Sequence, residues 1–344
     1  MAHLLINHVQ KWDSYKRLAL ASVVLIAHLR PMQSVKKVVP FLFMILGLNN
    51  ALAQSTPLSF GMSFGGSNYL GEIGGKLDPR ASILDLDLIT TSPAFGAFLR
   101  YAANDYVRVT GEINYVHIRQ ADANAESPAR QGRNLNFRNR MVEFGFRTDF
   151  TLFNVGQYRY PRRFNRPGKT SFRAFAFTGV YGVLHNPQAQ ITDDPNNEWE
   201  DRWYDLRPLR TEGQVEEYAS LIAAIPLGFG VEFGLKQGWI IGVESSWRST
   251  FTDYLDDISG MYANPEYLSP LAEAISSQTN PNVIAEINDP ASGTVVDHSY
   301  SEGGTYRGNP KTKDSYGTIQ FTLSRVIDTR TSFERALDHI SRRR

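Results

Sequence analysis

"GMSFGGSNYLGEIGG", residues 61–75, admits two readings. As a glycine-rich loop it would cradle phosphate ahead of a helix. As a strand it would place small residues where space is short. No helix-forming run follows the glycines, so the loop reading fails its context test. Just upstream, Leu58, Phe60, Met62 and Phe64 alternate with Ser59, Gly61, Ser63 and Gly65. Successive side chains on a strand face opposite ways, so one face is apolar and the other tiny. The stretch predicts a first strand from 58 to about 67, after which Gly71, Gly74 and Gly75 let the chain turn into a loop.

The alternation recurs seven more times. Phe95, Ala97, Leu99 and Tyr101 share a face, with Phe98 off pattern. Val107, Val109, Ile113 and Tyr115 oppose Arg108, Thr110, Glu112 and Asn114. Val142, Phe144, Phe146 and Phe150 oppose Glu143, Gly145, Arg147 and Asp149. Phe175, Phe177, Tyr181 and Val183 oppose Ala174, Ala176, Thr178 and Gly182, and read as an outward apolar face. Ile225, Leu227, Phe229, Val231 and Phe233 oppose Pro226, Gly228, Gly230 and Glu232. Trp239, Ile241, Val243 and Trp247 oppose Gly242, Glu244, Ser246 and Arg248, and Ile319, Phe321, Leu323 and Ile327 close the series. Eight strands of this length suit a tilted bilayer crossing.

The connections separate a membrane barrel from a soluble sandwich, which also alternates. Two are short, "ANDY" at 103–106 and "GLKQG" at 234–238. Four are long: roughly 68–92, 119–134, 185–216 and 251–314. Long loops on one side and short turns on the other are the habit of outer-membrane barrels. The expected fold is therefore all-β, a transmembrane antiparallel β-barrel of eight strands with long extracellular loops. One turn-side link, 151–170, is long for its place and carries Arg159, Arg162, Arg163, Arg166 and Lys169.

Composition limits the remaining options. The 344-residue chain has a formal charge of +1, which offers no bulk field for nucleic acid, and no cysteine, which removes disulfides, thiolate metal sites and cysteine catalysis. No internal apolar run reaches the roughly 20 residues of a spanning helix. From Met32 the chain reads as a signal peptide over 32–53: basic Lys36 and Lys37, an apolar run from Val38 to Leu48, and Ala51-Leu52-Ala53 before Gln54, with cleavage between Ala53 and Gln54. Residues 1–31 read as an upstream extension from an early start, 54–328 as the barrel, and 329–344 as a basic periplasmic tail ending Arg342-Arg343-Arg344. The expected location is the outer membrane of a Gram-negative cell.

An eight-stranded lumen has room only for its own side chains, so its charges must be self-paired. The inward set Arg108, Arg147 and Arg248 with Glu112, Glu143, Glu232 and Glu244 predicts a neutralising network, which Arg100 joins. Tyr101, Tyr106, Phe150 and Trp239 near one strand end, and Phe137, Tyr115 and Trp247 near the other, read as aromatic girdles. Catalytic chemistry finds little support. His117 is outward-facing near the long-loop rim with no serine in step, and His185, His298 and His339 lie in loops or the tail. Asp253, Asp256 and Asp257 in "FTDYLDDISG" lack a recognised calcium-loop spacing and read as a solvated rim or as partners of Arg248. The acidic, aromatic stretch "DDPNNEWEDRWYD", 193–205, reads as an outer loop. No cofactor, metal or small-molecule substrate is expected, and outer-membrane lipid is the expected surrounding.

Four stretches carry a resemblance: "FGGSNYLGEIGG" (64–75), "SPARQGRNLNFRN" (127–139), "AIPLGFGVEF" (224–233) and "FTDYLDDISG" (251–260). In this order they resemble PorG-like outer-membrane barrels of the type IX secretion and gliding machinery, over residues 58 to about 328. The resemblance implies a non-enzymatic component that associates with a periplasmic ring, built from a lipoprotein and its partner, and helps anchor it to the outer membrane. The basic link and tail are the candidate contacts for that ring. The tail after the last strand and the long 251–314 loop depart from the family pattern.

Overall fold

The computed structural model describes residues 58–73, 91–126, 128–155, 171–192, 198–235, 238–278 and 306–327. The expected extension, signal peptide with its Ala53–Gln54 cleavage point, basic link Arg159–Lys169, basic tail, His298 and His339 lie outside the described residues. Among these residues ten strands are formed: β1 (Leu58–Leu70), β2 (Ser92–Ala102), β3 (Val107–Ala121), β4 (Asn136–Val155), β5 (Ser171–Leu184), β6 (Pro187–Ala189), β7 (Tyr204–Asp205), β8 (Leu221–Gly234), β9 (Trp239–Thr250) and β10 (Ser315–Ile327). Among the described residues two short α-helices, α1 (Pro128–Arg133) and α2 (Pro270–Ser276), sit in the long connections.

Eight of these strands close on themselves. Each of β1 to β4 pairs antiparallel with the next, β5 pairs with β8, β8 with β9, β9 with β10, and β10 returns to β1. The fold is a closed eight-stranded antiparallel β-barrel, in which no wall strand leaves an open edge. β4 runs past the rim, where β6 pairs with it and β7 with β6, so the wall continues above the barrel on that side. The two short turns are tight. In the first, the Asn104 side chain accepts hydrogen bonds from the backbone N–H groups of Tyr106 and Val107, both at 2.8 Å. In the second, Gly238 adopts φ +79°, a left-handed conformation that glycine tolerates without strain.

Alternation sorts the side chains as a closed barrel requires. Phe60, Met62, Phe64, Leu99, Ile113, Phe144, Phe146, Leu227, Phe229, Phe321 and Leu323 all point out and are exposed, Met62 at 69% and Phe146 at 71%. The register joins them into a band, with Phe64 opposite both Phe95 and Phe321. Soluble monomers rarely show a contiguous apolar patch beyond a few hundred Å². Ser59, Ser63, Arg100, Arg108, Glu143, Arg147, Glu232, Glu244 and Arg248 point inward and are buried.

Three expectations need correction. β1 continues to Leu70 rather than ending near 67, which carries Tyr69 into the barrel mouth. On β5 the faces are reversed. Phe175, Phe177, Tyr181 and Val183 are buried in the lumen, while Val180 and Leu184 lie outside. The cause is on the neighbouring strand: a β-carbon at Gly228 would strike the Phe177 ring, and one at Gly230 the Phe175 ring. Two glycines on β8 thus vacate the volume that two β5 aromatics fill. By the same exchange, a β-carbon at Gly61 would meet the inward Phe98, the residue that broke the pattern of β2. Finally, Phe137 is not a girdle residue. It is buried in an apolar cluster with Tyr69, Met141, Tyr181, Val183, Leu255, Ile258 and Tyr316 near the loop rim, and meets Tyr69 edge-on at 4.7 Å.

Candidate functional site: a charge-balanced lumen beneath a loop cap

Among the described residues the lumen holds five arginines, Arg100, Arg108, Arg147, Arg173 and Arg248, against five carboxylates, Glu112, Glu143, Asp149, Glu232 and Glu244. Neither sign is in excess. Toward the turn end, Glu232 is the hub. Its carboxylate accepts from Arg100 Nη1 at 2.6 Å and Arg108 Nη1 at 2.9 Å, with Arg173 Nη1 at 3.7 Å. Arg108 Nε also donates to Asp149 at 2.7 Å, and Arg147 Nη2 donates to Glu244 at 2.6 Å. Arg100 reaches Glu244 as well, and Arg147 Nε lies 3.1 Å from Asp149, which closes a ring of pairs across five strands. The guanidinium planes rest on aromatic faces: Arg100 over Phe98 at 3.8 Å, Arg147 over Phe177 at 3.9 Å and Arg108 over Phe175 at 4.9 Å. The inward aromatics of β5 therefore serve as stacking surfaces for the charges.

A second tier lies nearer the loops. Arg248 donates to Glu143 through Nε at 3.0 Å and Nη2 at 3.3 Å. Asn114 Nδ2 donates to the same carboxylate at 3.3 Å, and the Tyr316 hydroxyl adds a further bond. The Tyr181 hydroxyl donates to Glu112. A buried ion would cost several kcal/mol if left alone, and this arrangement leaves each with an opposite charge in reach.

Above the tiers, the long loops fold over the mouth. Tyr69 Oη lies 2.7 Å from Asp256 Oδ2 and 2.6 Å from Asp314 Oδ1. A phenol has one proton to give, so satisfying both contacts requires that one carboxyl carry a proton and donate to the phenolic oxygen. Burial, followed by the proximity of Asp314, raises the Asp256 carboxyl well above the ordinary aspartate range. Burial pushes Asp314 up to about 7. The same two carboxyls anchor the loop backbone: Leu255 N–H donates to Asp314 at 2.9 Å and Ile258 N–H to Asp256 at 3.0 Å.

Two arginines stitch the loops together. Arg133, in α1, donates to Asp122 through Nε at 2.6 Å and Nη2 at 3.0 Å, and to the carbonyls of Glu72 and Arg307 at 3.0 and 3.1 Å. Arg307 approaches Glu212 at 3.3 Å and Asp257 at 3.5 Å. Glu212 in turn accepts from the backbone of Ser259 and Gly260. Asp257 also accepts from Tyr218 Oη at 2.8 Å, and burial lifts its carboxyl to about 6 against the opposing pull of Arg307.

The sequence pointed to the inward charges but not to all of their partners. Arg108, Glu112, Glu143, Arg147, Glu232, Glu244 and Arg248 meet in the lumen, together with Asp149, Arg173, Tyr181 and Tyr316. Arg173 shares its parity with Phe175 and Phe177, and a guanidinium on that face was the available sign that the face turns inward. Asp253, Asp256 and Asp257 are not a solvated rim and do not pair with Arg248. All three are buried, bonded respectively to Ser259, Tyr69 and Thr211 among others. Among the described residues no group of three or more His, Asp or Glu is arranged to hold a metal. His185 Nε2 contacts the Ala219 carbonyl at 2.9 Å and its ring stacks with Tyr218, while His117 faces outward. In the 193–205 stretch, Tyr204 is buried beside Leu206 and Ile275, and Trp203 lies under Arg138 at 4.2 Å.

Three of the four stretches that carry the family resemblance meet in the cap. They supply Tyr69 and Glu72, then Arg133 and Phe137, then Leu255, Asp256 and Ile258. The fourth supplies Gly228, Gly230 and Glu232 to the lumen.

Comparison with known proteins places the barrel among distant likenesses. The family described as "Domain of unknown function (DUF6089)" matches residues 36–182, short of half the chain. No curated protein matches. Among solved structures, Ail, the attachment invasion locus protein of Yersinia pestis, is 10% identical, covering 79% of this chain and 97% of its own, with a TM-score of 0.28. The N-terminal β-barrel domain of Pseudomonas aeruginosa OprF is 8% identical, covering 79% and 98%, with a TM-score of 0.25. Acinetobacter baumannii CarO is 12% identical, covering 78% and 97%, with a TM-score of 0.26. Likeness at this level carries no assignment of activity or partner.

Proposed function

We propose that this chain is a non-enzymatic outer-membrane barrel that serves a protein secretion machine of the type IX class, anchoring or stabilising a periplasmic ring. The observation that carries the reading is the pairing of an exposed apolar band with a filled lumen. The band suits a bilayer. A lumen packed with ten paired charges under a knitted cap suits neither passage of solute nor turnover of a substrate. The working surfaces of such a barrel are its rims. The resemblance to PorG-like barrels supplies the machine, and the basic link from Arg159 to Lys169 supplies a candidate contact on the periplasmic rim. Each exposed ion pair is worth about 0–1 kcal/mol, but several on one partner set association and its salt sensitivity.

In-cell cross-linking followed by mass spectrometry tests the reading. The parent chain is expected to capture periplasmic ring proteins. Reversal of Arg159, Arg162, Arg163 and Arg166 to glutamate is expected to leave a heat-modifiable barrel that loses the capture and blocks secretion. The same reversal at Arg202, Arg207 and Arg210, in the connection between β5 and β8 where Arg202 pairs with Glu200 and Arg207 with Glu217, is the control. Capture of only lipid and unrelated barrels by the parent would leave a general small outer-membrane barrel in place of the machine component. Unchanged capture in the quadruple variant would remove the basic link from the contact.

A further inference from the structure

The outer wall changes character abruptly on two adjacent strands. β3 presents Val107, Val109, Ile113 and Tyr115 outward, and then His117 and Arg119. β4 presents Phe150, Phe146, Phe144 and Val142 outward, and then Arg140 and Arg138. The register sets Tyr115 opposite Val142, His117 opposite Arg140 and Arg119 opposite Arg138. The last apolar row and the first cationic rows are thus successive steps on the same strand pair. The cations stand directly above the aromatic contact of Phe95 with Tyr115, whose rings stack at 4.9 Å.

Like charges directly opposite across a strand pair are destabilising. Arg119 opposite Arg138 is therefore an arrangement that the wall itself does not favour, and Arg140 stands on the neighbouring row opposite the half-buried His117. Arg138 is held by Gln188 Oε1 at 2.8 Å and by the Trp203 ring. Arg119 and Arg140 are exposed, and neither has a hydrogen-bond or ion-pair partner among the described residues. Opposite residues lie about 5 Å apart, so the groups converge on a volume that one phosphate head group can span. Guanidinium groups match phosphate oxygens with paired, charge-assisted hydrogen bonds. Below them Tyr115, Val142 and Phe95 offer an apolar wall for an acyl chain.

We propose that His117, Arg119, Arg138 and Arg140 form an outward-facing site for the phosphate head group of an anionic lipid in the leaflet on the long-loop side. The occupant is a lipid rather than free phosphate because the cations continue the apolar band without a gap. The inference rests on the barrel spanning a bilayer, and that is checked separately by insertion of each variant into lipid nanodiscs.

The test titrates the folded, full-length barrel in detergent with lipid A, phosphatidylcholine or sodium phosphate, and counts bound lipid by native mass spectrometry. Lipid A is expected to bind saturably, phosphatidylcholine not, and sodium phosphate far more weakly than lipid A. Arg119→Gln with Arg140→Gln is expected to weaken lipid A binding about thirtyfold, since each basic side chain near an anionic surface contributes roughly a factor of five. Arg119→Lys with Arg140→Lys keeps the charge and is expected to retain most of the binding, which separates a lost charge from a disturbed wall. Arg202→Gln with Arg325→Gln removes two cations elsewhere and is expected to leave binding unchanged. Equal lipid A binding by the glutamine variant and the parent overturns the site, as does an equal loss in the control. Sodium phosphate competing as tightly as lipid A overturns the lipid as occupant. Failure of the parent to enter nanodiscs overturns the membrane reading instead.

Discussion

At the scale of the residue, the contact among Tyr69, Asp256 and Asp314 makes the cap responsive to pH. Asp314 faces Tyr69 from β1, and Asp256, Asp253 and Glu72 from the loops, while Arg133 and Arg307 stand near Asp256. Its carboxyl is raised to about 7, so the closed cap holds a proton that an open loop, with an ordinary aspartate pKa of about 4, releases. A raised folded-state value means stability that is fully present at low pH and is lost as pH rises through about 7. Asp257, raised to about 6, acts in the same direction over a slightly lower window. Amide hydrogen exchange at Leu255 and Ile258, corrected for intrinsic rates, should therefore show on the order of tenfold more protection at about pH 5.5 than at about pH 8. Asp314→Asn mimics the protonated form and should flatten that dependence while keeping the loop closed. A parent loop equally protected at both pH values would mean that no shared proton holds the cap.

At the scale of the element, the fit between β5 and β8 is set by size exchange. Gly230 has no side chain because Phe175 occupies its space, and Phe175 lies inward because Arg108 and Arg173 stack on it. Gly230→Val should therefore destabilise the barrel by roughly 1–3 kcal/mol through overpacking. Adding Phe175→Ala should recover part of that loss, so the double variant would be less impaired than the two single costs predict. Urea unfolding in detergent, followed by tryptophan fluorescence, reads both. Strict additivity would mean that the two side chains do not share one volume. The same pair shows where sequence reading ran out. Alternation located all eight wall strands, and glycine, serine and charge marked the inward face on seven of them. On β5 both faces lacked an obvious polar marker except Arg173, so hydrophobicity alone chose the wrong one. The cap was less legible still. Tyr69 comes from β1, Arg133 from the connection after β3, and Asp256, Arg307 and Asp314 from the connection after β9, and nothing in local periodicity joins residues 245 positions apart.

At the scale of the whole molecule, the barrel is closed three times over. Eight strands leave a lumen that side chains can fill. The turn-side tier fills it with Arg100, Arg108, Arg147 and Arg173 against Asp149, Glu232 and Glu244, and the loop-side tier with Arg248 and Tyr316 on Glu143. Over these lies the cap. Purified protein in a planar bilayer is therefore expected to show no unitary conductance above background. Raising the salt to about 1 M should not change that, because buried pairs are screened far less than surface ones. Asp256→Ala, chosen to loosen the cap, should also remain silent, since the two ion-paired tiers lie beneath it. Silence in the parent with steps in Asp256→Ala would mean that the cap alone seals the barrel and that the tiers leave a path for ions. Stable unitary steps from the parent would mean that the charges line an open channel rather than fill a closed one, and the proposal of a structural component would then give way to that of a pore.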